Sequence, residues 1–437
     1  MMDTRKTAYT ALLAIEKHGS FSDLELKRLL TGGEEGEAFV RELVYGVIER
    51  KIWLDYELSH FVKRGLHAVK REALVLLRMG AYQLEFMTAV PDYAAISETV
   101  ELAKRVLPGL SGFVNGVLRA FARGQTGIRP DREILGEKEW LSLTCSCGEA
   151  LTELLLKQYG SAGAEEFLRF ALTPAPAEIR VNLLREDADS LPRELASQGF
   201  SLTESVVSPR SFAVNGNGLT RTDAYREGRF AIQSAASCAI ADLAAPEPGN
   251  FVIDTCAAPG GKTMAMAEAM GGKGCILAMD VSQTRLALIG KEAKRLGVRN
   301  VETLCWDGRE EAPELVGKAD LVLTDVPCSG LGVIRRKPEI KYRDFVPGLP
   351  NLLETQRKIL ASAIRYVRPG GRLCYSTCTI NRQENEEQIR VLLKECTDLE
   401  LLMEKQFWPG TDQTDGFYAA LIRKKDREKG ALDGRRL

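Results

Sequence analysis

Asp325, Cys328 and Cys378 set an acid and two thiols where apolar runs give way to loops. Asp325 ends the run Ala319-Asp320-Leu321-Val322-Leu323-Thr324, and Val326-Pro327-Cys328-Ser329-Gly330 follows it. The proline fixes its own φ and stiffens the chain as it leaves the sheet. Cys378 follows a second such run, Arg372-Leu373-Cys374-Tyr375-Ser376-Thr377. In an open parallel sheet, neighbouring strands end on one crevice, so the three side chains are expected to converge. Cysteine is often merely buried; two at adjacent strand ends, beside an acid, favour chemistry. The chemistry open to them is covalent catalysis by a thiolate, with the second thiol and the acid moving protons. Histidine takes no part, because His18, His60 and His67 all lie near the start of the chain. That removes Ser-His-Asp and Cys-His arrangements. Cys145-x-Cys147 lacks further ligands nearby, so no metal site is expected.

A second stretch supplies a small-molecule site. Phe251-Val252-Ile253 reads as a buried strand. Asp254-Thr255-Cys256-Ala257-Ala258-Pro259-Gly260-Gly261-Lys262-Thr263 then makes a tight turn into a helix. Asp280 ends the next apolar run, about 20 residues past the glycines, a spacing that suits ribose hydroxyls. The stretch almost spells the phosphate loop G-x-x-x-x-G-K-[ST], but Cys256 stands at the first glycine. Close backbone approach without a phosphate cradle fits S-adenosylmethionine better than a nucleotide. Asp307, after the third strand, is placed either to accept an adenine amino group or to serve as a plain loop acid.

These residues need a scaffold. With 437 residues, about three domains are expected. A net charge of −1 confines any nucleic-acid surface to a local patch. No apolar leader or membrane-length run is present, and ten cysteines lack a disulfide-like framework, which points to the cytoplasm. Residues 1–128 read as all-helical by their apolar periodicity, 129–139 as a linker, and 140–245 as a small α+β subdomain. In that subdomain helices fall near 149–159 and 161–171. Arg180-Val181-Asn182 and Phe230-Ala231-Ile232-Gln233-Ser234 are candidate bridges to the next domain. Residues 246–425 alternate strands (250–254, 275–280, 301–304, 319–325, 371–377, 416–422) with helices (262–270, 283–296, 351–367, 383–395). This pattern predicts a doubly wound α/β sheet. Residues 426–437 form a basic tail.

Two thiols and an acid match one reaction closely. Carbon 5 of cytosine is a poor nucleophile until a thiolate adds to carbon 6. A second group must then take the proton from carbon 5, and an aspartate can serve ring nitrogen 3. The turn at 254–263, Asp325-Val326-Pro327-Cys328-Ser329-Gly330 and Ser376-Thr377-Cys378-Thr379 resemble the motif set of RNA 5-methylcytosine methyltransferases. Ala89 to Glu98 and Phe113-Val114-Asn115-Gly116-Val117-Leu118-Arg119 resemble helices of NusB-like RNA-binding domains. Together they resemble the bacterial RsmB/Sun-type family of 16S ribosomal RNA cytosine methyltransferases along nearly the whole chain. The resemblance implies a Rossmann-like methyltransferase domain that uses S-adenosylmethionine. It implies Cys378 as nucleophile and Cys328 as the group assisting release. It also implies that Cys256, Ala257, Ala258, Pro259, Gly260, Gly261, Lys262, Asp280, Asp307 and Asp325 line the cofactor site. Ser234 departs from the family, which usually has aspartate after the glutamine.

Partner expectations follow. Asn115 and Arg119 share one helix face and either cap and decorate that helix or meet RNA or a neighbouring domain. Arg335-Arg336-Lys337 lies close after Cys328; it is either a solvated loop or a phosphate contact that positions RNA without reading it. A flipped cytosine needs such anchoring. The expected partner is 16S ribosomal RNA, with no membrane, and the expected state is a monomer. Two other readings stand beside this one, a P-loop-like nucleotide hydrolase and a non-catalytic RNA-binding assembly factor.

Overall fold

The computed structural model describes residues 2–33, 35–124, 129–185 and 190–426. Apart from Asp426, the expected basic tail lies outside them. Two compact units emerge: Met1–Thr173 with Ile334–Asp344, and Pro174–Val333 with Phe345–Leu437. No helix among the described residues is long and apolar enough to cross a membrane.

The first unit is helical. Its elements are α1 (Thr4–His18), α2 (Ser22–Leu29), α3 (Glu37–Glu49), α4 (Lys51–Ser59), α5 (Arg71–Phe86), α6 (Asp92–Val106), α7 (Ser111–Gly124), α8 (Arg132–Leu135), α9 (Glu137–Thr144) and α10 (Glu149–Ala171). Leu12, Val44, Leu76, Leu102 and Leu118 share its core, one from each of five helices, as the periodicity requires. The linker expected at 129–139 is corrected: it holds α8 and the start of α9. Asp131 caps α8 by accepting from Glu133 N at 2.8 Å, and Gly136 turns the chain at φ 74°. Polar and glycine-rich composition marks caps as well as linkers. α10 is interrupted at Gly160, φ 70°, matching the expected division there. By contact α9 and α10 group with the helical unit, not with the small subdomain assigned from sequence.

The segment 334–344 completes this unit, which removes the solvated-loop alternative and leaves the phosphate contact as the expectation. Five of its charges answer a helix end or a ring. The Glu339 carboxylate accepts from Ser22 N at 3.1 Å and Ser22 Oγ at 3.0 Å, at the N-terminus of α2. Lys341 Nζ donates to Glu49 O at 2.8 Å, at the C-terminus of α3. Both placements complement the helix dipole. The Tyr342 hydroxyl donates to Ile48 O at 2.6 Å. Arg335 lies 4.4 Å from the Phe170 ring centroid and its Nε donates to Thr173 O at 3.0 Å. Lys337 and Arg343 lie 5.2 and 4.1 Å from the Phe21 ring.

The second unit carries two sheets. Strands β1 (Ala177–Val181), β2 (Ser201–Glu204), β3 (Ser211–Asn215) and β4 (Phe230–Ile232) pair antiparallel in the order β2-β3-β1-β4. Helices α11 (Ser190–Ser197) and α12 (Asp223–Arg226) accompany them, and α13 (Ala235–Ala244) leads onward. The larger sheet comprises β5 (Phe251–Asp254), β6 (Cys275–Asp280), β7 (Val301–Cys305), β8 (Ala319–Asp325), β9 (Val367–Thr377), β10 (Leu399–Phe407) and β11 (Phe417–Lys424). Its order is β10-β11-β9-β8-β5-β6-β7, parallel except for β10 and β11. Alternate residues point to opposite faces. Val252, Leu321, Leu323 and Cys374 meet α13, α14 (Gly261–Ala269) and α15 (Gln283–Leu296). Ile253, Val322, Leu373 and Tyr375 meet α16 (Leu349–Tyr366) and α17 (Glu386–Glu395). The sheet is therefore doubly wound, as expected. Strand β10 has no counterpart in the sequence reading. It is an edge strand whose Leu401, Leu402 and Met403 are exposed, so no clean alternation betrays it.

Two stability tests follow. Burial lowers Lys341 from 10.5 to about 8, so between those values the unfolded chain holds more protons than the folded one. Stability contributed at this site therefore rises with pH across that window. Unfolding free energies measured from pH 7 to 10 should show the rise in the native chain and a flatter profile in Lys341→Met. In the second unit, Arg180 and Glu268 are fully buried, with Nη2 to Oε1 at 2.6 Å. Removing one partner strands the other charge, so Glu268→Ala should cost about 3–5 kcal/mol in urea denaturation.

Candidate active site

Each expected catalytic and cofactor-site residue lies at the carboxyl edge of the parallel strands. β5 and β8 are neighbours in the sheet but not in sequence, so the edge between them is the switch point where such folds bind ligands. From Asp254 the chain turns through residues 255–260 into α14, with a cis Ala258–Pro259 peptide. Gly260 adopts φ 105°, and a Cβ there would meet Ile289 Cγ1 at 3.0 Å. That pairing of positive φ and close packing requires glycine. Asp280, at the end of β6, holds the turn by accepting from Ala258 N at 3.3 Å and Ser282 N at 3.0 Å. Arg285 donates to Ala258 O and lies 3.4 Å from the Asp280 carboxylate.

Buried Asp254 accepts from Thr263 Oγ1 at 2.6 Å through one oxygen, while its Oδ1 has no partner. Burial raises it to about 7, with the nearby Asp325 charge adding to the effect against the Thr263 hydrogen bond. Burial and the neighbouring Asp254 likewise raise Cys256, so its thiol stays neutral. Lys262 Nζ lies 2.7 Å from Asp325 Oδ2. Burial pulls Lys262 down, but the Asp325 charge and hydrogen bond outweigh it and raise the group. This ammonium is spent on a carboxylate, which argues against the phosphate-loop reading. Carboxylates at the ends of β6 and after β7, with a glycine cradle and no committed phosphate donor, fit S-adenosylmethionine. Asp307 lies at the same edge and is gripped by Arg309, whose Nη2 is 2.6 Å away; that hydrogen bond lowers its pKa.

The two thiols meet. Cys328 Sγ and Cys378 Sγ are 3.2 Å apart, and Cys378 N donates to Cys328 Sγ at 3.3 Å. Their loops are tied by Val326 N to Ser376 O and Gly332 N to Cys378 O, each 3.1 Å. The hydrogen bond with Cys378, then burial, raises Cys328 well above an ordinary thiol. Asp325 links this pair's strand to the glycine turn: its Oδ2 takes Lys262, and its Oδ1 accepts from Ser376 Oγ at 2.8 Å. Among the described residues no group of acids, cysteines and histidines could hold a metal. Cys145 and Cys147 are simply buried.

Asn115 and Arg119 belong to the helical unit. They line a groove between α6 and α7 with Tyr93 and Lys104. Arg335 and Lys337 are half-buried against rings of the same unit, so any phosphate contact must compete with that packing. Of the candidate bridges, Arg180 Nη1 reaches Gly261 O at 3.0 Å and also donates to Gln233. Asn182 Nδ2 reaches Leu296 O at 2.8 Å. Ser234 caps α13 by accepting from Ser237 N at 3.3 Å, a task an aspartate would share.

Sequence reasoning missed Glu384. The helix expected from 383 begins at Glu386, and fully buried Glu384 turns inward instead. Its Oε2 accepts from Ser329 N at 2.8 Å and Gln356 Nε2 at 3.0 Å. Its Oε1 accepts from Ser329 Oγ at 2.5 Å, Asn381 Nδ2 at 3.1 Å and Thr379 Oγ1 at 3.4 Å. The available signal was a polar run directly after Cys378, in Thr379-Ile380-Asn381-Arg382-Gln383-Glu384-Asn385.

The family model "16S rRNA methyltransferase RsmB/F" matches residues 241–423, and the NusB family model matches residues 2–123. The probable ribosomal RNA small subunit methyltransferase B of Bacillus subtilis is 34% identical, over 96% of this chain and 98% of its own. The ribosomal RNA small subunit methyltransferase B of Vibrio cholerae is 30% identical, over 89% of each chain. A solved methyltransferase homologue from Pyrococcus horikoshii is 28% identical, with a TM-score of 0.59 over 65% of this chain and 97% of that one. The chain thus belongs to the 16S rRNA methyltransferase RsmB/F family, with a NusB domain in front, and is an S-adenosylmethionine-dependent ribosomal RNA methyltransferase.

Proposed function

We propose that this enzyme methylates carbon 5 of a cytosine in 16S ribosomal RNA through a covalent adduct between Cys378 and carbon 6. The observation that carries the reading is the pair of thiols 3.2 Å apart beside Asp325. Asp280, Asp307, Asp325 and the turn from Cys256 to Lys262 would hold S-adenosylmethionine, which when bound supplies an electrophilic methyl group. Cys378 loses its proton and bonds to carbon 6 as a thiolate; the carbon 5–carbon 6 double-bond pair shifts through carbon 4 to ring nitrogen 3, which takes up a proton, and carbon 5 becomes enamine-like. Asp325, steadied by Lys262 and Ser376, serves ring nitrogen 3. Cys328 first keeps its proton, chiefly because it is hydrogen-bonded to Cys378. Once Cys378 is bonded to carbon, that influence is gone and Cys328 can release its proton to solvent. It then takes the proton from carbon 5; those electrons restore the ring double bond, and the carbon–sulfur pair returns to Cys378. A pure assembly factor would have no need of this arrangement. The groove at Asn115 and Arg119, with exposed Tyr93, is assigned to RNA in this reading.

The two thiols should behave differently. Cys378→Ser should abolish both methylation and the protein–RNA adduct, since a neutral hydroxyl without a base is a weak nucleophile. Cys328→Ser should still methylate carbon 5 of the cytosine but stall before release, so a complex stable to denaturing electrophoresis accumulates. A complex with Cys378→Ser alone would reverse the roles. No complex with either variant, together with retained activity, would remove covalent catalysis.

The cofactor assignment has its own test. Asp280→Ala should weaken S-adenosylmethionine binding by on the order of 1.5–3 kcal/mol, through lost charge-assisted hydrogen bonds. Unchanged affinity in calorimetric titration would overturn it.

A further inference from the structure

We infer that Glu384 is a positioning residue that fixes the spacing of the two catalytic thiols. The inference rests on the two-cysteine reading above and adds a residue that touches neither sulfur. Ser329 follows Cys328 directly, and Thr379 follows Cys378. Glu384 Oε1 accepts from the hydroxyls of both, at 2.5 and 3.4 Å, and those hydroxyls lie 2.8 Å from each other. Oε2 fixes the backbone of the first loop through Ser329 N. It also accepts from Gln356 Nε2, which donates at 2.9 Å to Pro327 O, the carbonyl just before Cys328. One carboxylate therefore grips the residue after each thiol, and a shared partner grips the residue before one of them. From the other side, the Tyr375 hydroxyl donates to Glu384 O at 2.6 Å, anchoring the acid to β9 itself.

The chemistry of the donors shows why a carboxylate is used. All are uncharged: a backbone amide, two hydroxyls and two side-chain amides. A buried carboxylate among neutral donors is expensive to desolvate, and well-packed apolar groups commonly serve stability as well or better. Its distinguishing capacity is to accept from several donors at once on two oxygens. Here those donors come from two loops, after β8 and β9, and from α16. Thiol spacing matters because Cys378 must bond to one ring carbon while Cys328 reaches the proton on the next, and small misplacements are costly in such steps.

Glu384→Gln keeps the shape but turns an amide donor toward one set of donors. Its kcat should fall about 100-fold, the cost of roughly 1 Å of misplacement. The KM and calorimetric affinity for S-adenosylmethionine should stay within about 2-fold, because the cofactor carboxylates are untouched. In a Cys328→Ser background, the same change should slow adduct formation to a similar degree. A native kcat, or a loss of kcat matched by equal losses of cofactor affinity and melting temperature, would overturn the role. If Glu384→Gln does not fold, Ser329→Ala removes one grip and keeps the backbone amide. It should lower kcat about 10-fold, roughly one hydrogen bond's worth, at unchanged cofactor affinity; a native kcat there would overturn the role as well. Methylation by Cys378→Ser would sink the two-cysteine reading itself. The expected behaviour of both cysteine variants combined with a native kcat in Glu384→Gln would sink only the positioning role.

Discussion

Two sulfur atoms 3.2 Å apart cannot both carry charge at neutral pH, and the remaining features of the site follow from that constraint. The protein resolves it by holding Cys328 as a thiol, through its hydrogen bond with Cys378 and through burial. In the mechanism proposed above, that hydrogen bond ends when Cys378 bonds to carbon, so Cys328 would hold a proton early and take one late. A histidine would need no such arrangement, but none stands beyond His67.

Keeping the sulfurs that close requires two strand ends to be locked together, and acids do the locking. Asp325 ties β8 to β9 through Ser376 and to the glycine turn through Lys262. Glu384 ties the loops beyond the same two strands. Arg180 reaches the glycine turn from the smaller sheet and is neutralised by Glu268, so the turn is held from behind as well. The buried charges of this unit are thus spent mainly on geometry. Such pairs are poor sources of net stability, and their use here is consistent with a demand for orientation.

Local chemistry was legible in the sequence where strand patterns and turn chemistry agree. The parallel strands, the glycine turn and the convergence of Asp325, Cys328 and Cys378 could be read from spacing, while Arg180 and Asn182 stood only as candidate bridges. Two kinds of feature were not. Edge strand β10 presents one apolar side to solvent, so its alternation is blurred. Glu384 lies in a run that suits a helix start, and only the donors that surround it in three dimensions turn it inward. A polar residue whose partners come from elsewhere in the chain leaves no local period to detect.

The segment 334–344 shows the same limit for charge. Composition reads Arg335-Arg336-Lys337 as solvated or as bound to phosphate, because those are the two environments a linear sequence can suggest for clustered cations. The folded helical unit offers a third. Helix termini and ring faces are electrostatic partners that exist only after folding, and Glu339, Lys341 and Arg343 each find one. Burying Lys341 is the price of that docking, since its pKa falls to about 8. A surface loop with no task would shed that lysine at no loss. The chain instead commits it to the C-terminal end of α3, within the helical unit to which 334–344 belongs.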